Sequence, residues 1–346
     1  MSTTGGAARW YVAAVALLVV AALVSVSVGP AGPAWWRVTP ALLDRLPLVS
    51  LDSGVSESEW SIVWRIRAPR IVLGVLVGGM LSIGGAGYQG VFRNPLVDPY
   101  LLGAAAGAGL GAVVVLTVAR DATSGWALDP VPVVAFASAM ATVLVTYVVG
   151  AGRRGGARTG TTLVLAGVAV TAFVTAAQTW LLQRNAEVVR EVFSWILGRL
   201  SSATWDDVRL CAPYVAVSVV VLVVMRRHLD LLRIGDDEAG SLGMTVARTR
   251  LVVVAAATLG TAAAVGVSGL IGFVGLVVPH VVRLVAGASY RHLVPLSFLV
   301  GGAFLVLADI PGRTLQGGAE TPIGVVTAFL GAPFFVYLLR RRVATP

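Results

Sequence analysis

The chain has 346 residues, 57% of them hydrophobic and only 12% charged, and its mean hydropathy is +0.86. A soluble domain carries about 25% charged residues, so this composition excludes an ordinary water-soluble fold and points to a chain dissolved mostly in bilayer. The net charge of +9 rests on arginine alone, since no lysine occurs; scattered arginines argue against a nucleic-acid face, and the missing lysine excludes a Walker A site and Schiff-base chemistry.

A helix needs about 20 apolar residues to cross roughly 30 Å of hydrocarbon. Ten segments qualify, over roughly 10–29, 68–92, 99–119, 130–150, 162–183, 209–226, 250–267, 271–286, 293–310 and 322–339. The first has the basic lead (Arg9) of a signal peptide, but its apolar run of about 19 residues exceeds a typical signal core and reads as a retained span. The expected fold is therefore an all-α integral membrane protein, a single domain over 1–346 with about ten transmembrane helices. Glycines at four-residue spacing, Gly74/Gly78 and Gly103/Gly107/Gly111, read as helix-packing faces. Pro279 and Pro333 fall inside apolar runs and predict kinks.

Placing both termini in the cytoplasm puts 15 arginines inside, among them Arg93, Arg153, Arg154, Arg158, Arg233 and Arg250, and 11 outside with most of the acids. That arrangement obeys the positive-inside bias. Residues 30–66 then form an extracytoplasmic segment and 226–250 the longest cytoplasmic connection.

Several polar constellations interrupt the apolar pattern. Between the second and third spans, "RNPLVDPYLLG" (93–103) holds two X-Pro turns, with Asn94 and Asp98 as candidate caps of the next helix. In 226–250, Asp236, Asp237 and Glu238 follow Gly235 as an acidic helix start, on a segment suited to docking a partner. "RIRAPR" clusters Arg65, Arg67 and Arg70 at the outer mouth of the second span, either snorkelling to lipid phosphates or forming a socket for external carboxylates.

The outer reentrant segment "LADIPGRTLQGGAETPIG" carries Asp309, Arg313 and Glu320. Asp309, two residues before Pro311, reads as a cap or a partner for an arginine, with an intramembrane proton carrier as the alternative. Thr171, Thr175 and Gln178 share one face of the fifth span, to line a polar path or to bond a neighbouring helix. His280, with no Cys, Asp or Glu within a helical turn, predicts a packed histidine rather than a metal ligand, and no cofactor or metal site is expected. No nucleophile–base or paired-carboxylate arrangement supports an enzyme.

The run "RAPRIVLGVLVGGMLSIGGAGYQGVFRNPLVDPYLLGAAAGAGLGA", followed in order by "LVLAGVAV", "FSWILGRLSSATWDDV", "LDLLRIGDDEAGSLGM", "GLIGFVGLVVPHVVRL" and "ETPIGVVTAFLGAPFFVYLLRR", resembles the FecCD family. These are permease subunits of type II ABC importers for ferric siderophores, haem and cobalamin. The resemblance covers about residues 60–340; the first 60 carry little of it, and Ser268 and Leu270 stand where many relatives have a Gly-Pro-Ile start. It implies a bacterial cytoplasmic-membrane permease working with ABC ATPase subunits, an extracytoplasmic substrate-binding lipoprotein and a second permease subunit, identical or related. It further implies coupling to the ATPase through Gly235, Glu238, Ala239, Leu242 and Gly243. Binding-protein docking falls on Arg67, Arg70 and Arg313, and a pathway wall on Thr171, Thr175 and Gln178. An iron–siderophore chelate is the expected cargo, haem or cobalamin the alternatives within the family, and an ion-coupled secondary transporter the alternative outside it.

Overall fold

The computed structural model describes residues 4–29, 36–38, 40, 54–119, 129–150, 160–314 and 320–343. Arg153, Arg154 and Arg158, most of 30–53, and residues 315–319 of the reentrant segment lie outside the described residues. Among the described residues every regular element is helical. The helices are α1 (Thr4–Ser27), α2 (Glu57–Val91), α3 (Ala104–Thr117), α4 (Pro130–Gly150), α5 (Gly160–Arg184) and α6 (Val189–Ile196). They continue with α7 (Trp205–Leu232), α8 (Asp236–Ser241), α9 (Val246–Ser268), α10 (Val274–Ala286), α11 (Tyr290–Thr314) and α12 (Ile323–Val343). Seven are long and apolar enough to cross a membrane, and Ala104–Thr117, Val274–Ala286 and Ile323–Tyr337 are shorter apolar helices. Together they match the ten expected segments, and the chain is a multi-pass membrane protein.

Composition decides which helix goes in the middle. α2 reads "LGVLVGGMLSIGGAGYQG", small and apolar on every side, and it is the most enclosed span, packed by α7, α9, α10 and α11. Its glycines are where neighbouring backbones approach: Gly78 lies against Gly301 of α11, and Gly85 against the carbonyl of Gly275 in α10. In lipid, where apolar burial does not drive helices together, such van der Waals contact is the main source of association. Gly107 and Gly111 pack on Ser138, Thr142 and Ala135 of α4, so both predicted glycine faces serve packing. α1, α5 and α7 lie at the rim with Val12, Phe173, Trp180, Val220 and Val224 outward.

Three boundaries differ from the sequence reading, each for a local reason. The α7 helix runs on to Leu232, because "RRHLDLL" continues its helical packing with Leu229 and Leu232 fully buried, so the free connection shrinks to 233–245. The third span begins at Ala104, not at 99. Asp98 accepts the Tyr100 N–H at 2.8 Å, Leu101 N–H reaches the Asp98 carbonyl, and Gly103 at φ 88 ends these turns. Asn94 and Asp98 thus close turns rather than cap α3, whose N-cap Gly103 has no side-chain bond. The eighth span begins at Val274, and Gly269–Phe273 before it is not helical.

Two polar ends bracket the bundle. A basic end gathers Arg93, Arg226, Arg233, Arg250, Arg283 and Arg291; the opposite end carries a tryptophan cluster, in which the Trp64 and Trp205 rings are 5.1 Å apart and Trp205 Nε1 donates to the Trp64 carbonyl at 3.0 Å. Such aromatic girdles suit the membrane–water interface.

Because a methyl group on Gly85 meets the Gly275 backbone, Gly85→Ala is expected to cost about 1–3 kcal/mol and to lower the detergent thermal midpoint by several degrees. Gly240→Ala in α8, with open space around it, leaves the midpoint unchanged or slightly raised.

Candidate functional site

At the opposite end a short π-helical turn, Val63–Arg67, breaks the α2 register, with the Ala68 N–H bonded back to Val63. Trp64 and Ile66 point outward while Arg67 turns in and is 4% exposed. Arg70, one turn further on, spends its whole guanidinium fork on two carboxylates: Nε and Nη2 donate to Asp309 at 2.7 and 2.8 Å, Nη1 and Nη2 to Glu320 at 2.9 and 2.8 Å. Arg313 Nη2 donates to the Ser25 carbonyl and hydroxyl, both at 2.7 Å, and Arg67 Nη1 to the Val26 carbonyl at 2.6 Å. Three cations thus face two carboxylates, and the negative C-terminal end of α1 supplies the balance.

The sequence reading set Arg65, Arg67 and Arg70 at the outer mouth of the second span, snorkelling to lipid phosphates or forming a socket for carboxylates, and the resemblance added Arg313. In the structure Arg65 is exposed, whereas Arg67, Arg70 and Arg313 are buried and engaged within the chain, as buried charges require. Asp309 is the arginine partner that its position before Pro311 suggested.

A second constellation lies nearer the middle of the bundle, where three chain breaks meet. The Arg199 N–H donates to the Ser268 carbonyl at 2.7 Å; the Ile323 and Gly324 N–H groups donate to the Gly198 and Leu197 carbonyls at 3.2 and 3.0 Å. The ends of α6, α9 and α12 are therefore joined backbone to backbone, and glycines make the crossing possible. A Cβ on Gly198 (φ 77) would sit 2.6 Å from the Leu270 carbonyl, and Gly324 and Gly269 are equally crowded.

Beside this crossing opens a groove of about 530 Å³, lined by Leu197, Leu270, Gly272, Gly324, Phe329 and Pro333. Phe273 closes the unwound segment at φ 68, a left-handed conformation that costs an aromatic residue about 1–3 kcal/mol, and it is wedged against Gly331 of α12. His280 packs edge-on to Phe334 at 6.3 Å.

Irregular backbone inside a membrane protein needs partners from the protein itself. Tyr100, from the turn after α2, supplies them: its hydroxyl donates to the Ile271 carbonyl at 3.1 Å and accepts the Ile271 N–H at 3.2 Å. Gln89 Nε2 donates to the carbonyls of Val97 and Gly275 at 3.3 and 3.1 Å, tying that turn to α2 and α10. Burial pushes the Asp98 carboxyl up to about 6, against the lowering effect of the Tyr100 N–H.

On α5 the polar stripe divides. The side-chain oxygens of Thr171 and Gln178 lie against Gly103 and Gly109, where helices meet, and Thr175 is exposed.

At the basic end, α8 (Asp236–Ser241) stands between α7 and α9 as a single short turn of helix. Gly235 opens it at φ 135, Ala239 is fully buried beneath it, and Gly243 ends it at φ 85. Leu242 is 64% and Ile234 55% exposed, large apolar side chains at the tip of a polar protrusion. Asp236 accepts from Arg250 Nη2 at 2.8 Å and faces Arg93 Nη2 at 3.5 Å. Sequence reasoning singled out α8 but missed Tyr100, the Gly198/Gly324 crossing and Phe273; the glycine spacing in "SGLIGFVG" was the available signal.

Among the described residues no group of three His, Cys, Asp or Glu is placed to hold a metal ion. The chain is similar to several transport proteins. The profile of the FecCD transport family matches residues 17–341. The cobalamin import system permease protein BtuC of Halobacterium salinarum is 39% identical, over 97% of each chain. The hemin transport system permease protein HmuU of Yersinia pestis is 36% identical, over 84% of this chain and 86% of the other. The iron(3+)-hydroxamate import system permease protein FhuB of Bacillus subtilis is 32% identical, over 98% and 85%. A solved inward-facing conformation of a proposed metal-chelate type ABC transporter superposes with a TM-score of 0.80 at 26% identity, over 95% of this chain and 98% of that one. A helical membrane protein of this build, matched by family and by fold over nearly its whole length, belongs to the FecCD transport family of ABC importer permeases.

Proposed function

We propose that this subunit carries an iron–siderophore-type chelate across the bacterial cytoplasmic membrane, driven by separate ABC ATPase subunits that bind the basic end. Both termini then lie in the cytoplasm. The observation that carries the reading is α8, an isolated helical turn with Leu242 and Ile234 bare at its tip, at the end that the arginine bias assigns to the cytoplasm. Gly235 and Gly243 set its angle, Glu238 occupies the acidic first turn, and Ala239 seats it on the bundle.

The cargo path runs along the groove at the Leu270–Phe329 face, with Thr175 on the same permease wall and a second permease subunit, identical or related, completing it. Its lining is apolar and lacks ligands that would strip a metal from its carrier, which suits an intact chelate. Haem and cobalamin remain the alternative cargoes, since relatives named for each are similar over most of the chain.

An extracytoplasmic binding lipoprotein delivers the chelate at the opposite end. Arg70 holds a half-exposed carboxylate, Glu320, so an incoming carboxylate reaches Arg70 by displacing Glu320 while the bonds of Arg67 and Arg313 keep α1 fastened. An ion-coupled mechanism needs a free carboxylate within a span, and Asp309 is committed to Arg70.

Leu242→Asp tests the coupling surface. The side chain is exposed in this subunit, so the thermal midpoint holds, while ATPase recovered with the affinity-purified permease and uptake of radio-iron ferric hydroxamate both fall about tenfold or more. Parental recovery and uptake contradict the reading. For the arginine cluster, Asp309→Asn removes a buried partner and is expected to cost about 3–5 kcal/mol in detergent unfolding. Glu320→Gln, at 40% side-chain exposure, costs at most about 1 kcal/mol.

A further inference from the structure

We infer that the turn Arg93–Gly103 is a rigid relay which passes motion of α8 to the unwound segment beside the groove, with Tyr100 as the residue that positions that segment. The inference rests on the coupling role proposed for α8. Energetic coupling over such distances needs contiguous elements with defined contacts at each end, and the turn has them. At its start, Arg93 holds a left-handed conformation (φ 50) that leaves its guanidinium 3.5 Å from Asp236, the first residue of α8. At its far end the Tyr100 hydroxyl holds both backbone groups of Ile271, at 3.1 and 3.2 Å.

What lies between is stiff. Pro95 and Pro99 fix two backbone angles, and the Asn94 and Asp98 side chains each close a turn on the N–H two residues ahead, at 3.0 and 2.8 Å. Gln89 clamps the middle of the turn to α10 through the Val97 and Gly275 carbonyls. Pro99 rests on Gly275, where a Cβ would lie 2.6 Å from its ring.

The output end is equally defined. Ile271 stands between Leu270 and Gly272, which line the groove, and the Leu270 carbonyl packs on Gly198 and Gly324 at the backbone crossing. A shift of α8 against α7 and α9 is carried by the Asp236–Arg93 pair into a turn that does not bend, and emerges at the groove wall. Without Tyr100 the unwound segment keeps its neighbours but loses the hydroxyl that fixes its position.

The test uses the full complex with its ATPase in proteoliposomes, with MgATP and vanadate to trap the closed ATPase state, so no cargo is required. The buried Cys211 is replaced by serine, and Ala328→Cys in the groove reports its accessibility through the rate of maleimide labelling. In this background the ratio of trapped to nucleotide-free labelling rates is expected to differ from one by about fivefold or more, a typical lower bound for allosteric coupling. Tyr100→Phe, Arg93→Gln and Asp236→Asn are each expected to bring that ratio close to one, with nucleotide trapping confirmed in every sample. The two surface variants carry the test if Tyr100→Phe does not fold.

A parental ratio in Tyr100→Phe accompanied by a lowered thermal midpoint overturns the relay, because it marks a purely structural role. Loss of the ratio in Tyr100→Phe with both surface variants at the parental value overturns it as well. Leu242→Asp separates the underlying assumption: a parental ratio there sinks the coupling role of α8, whereas loss there with a parental ratio in Tyr100→Phe sinks only the relay.

Discussion

A polar backbone group that leaves a helix inside the bilayer must be answered by the protein. This constraint organises the molecule around the unwound segment Gly269–Phe273. The α9 helix ends at Ser268 and α10 begins at Val274, so the groups between them would face hydrocarbon unpaired at a cost of several kcal/mol each. Both backbone groups of Ile271 are answered by the Tyr100 hydroxyl and the Gly269 carbonyl by the Ser268 hydroxyl, while the Arg199 N–H takes the last carbonyl of α9 and glycines let three chain breaks cross at close range. The irregular backbone is gathered where the groove runs.

The same rule governs charge. Five ionic groups are drawn together at the opposite end: Asp309 and Glu320 pair with Arg70, and the last carbonyls of α1 take Arg67 and Arg313. The N-terminal helix, much of whose surface is exposed, is fixed both by these polar bonds at its end and by packing along its length, with Ala14 in the main core and Ala21 and Val26 grouped with Ala303 and Val306 of α11. Nearer its start, Tyr11 bonds His292 at 3.2 Å.

Much of this was legible in the sequence. Hydropathy alone found the ten apolar segments, glycine spacing found the packing faces, and the acidic start after Gly235 found α8. Asp309 was recognisable as an arginine partner because a carboxylate two residues before a proline, near the end of a span, has few other uses. The unwound segment was legible only through its glycine spacing: "GLIGFVGL" is apolar throughout, and hydropathy does not distinguish a helix from an extended strand when both are buried. Tyr100 escaped notice for a related reason, since its partners are backbone groups 171 residues away and leave no pattern in the side chains. The burial of Arg67 was not legible, because the π turn at Val63–Arg67 that swings it inward has no sequence signature of its own.

The chain holds two polar stations with a packed apolar frame between them, and Asp309, a carboxylate near the end of α11, is paired with Arg70. On the function proposed above, the work comes from ATPase subunits outside this chain. The most direct measurement is initial-rate uptake of a radio-iron siderophore into proteoliposomes holding this permease and its ATPase, with ATP enclosed on the ATPase side and ion gradients collapsed by ionophores. The account predicts uptake that depends on ATP and is indifferent to the ionophores. Uptake that persists without ATP or ATPase, and stops when the gradients collapse, would contradict it.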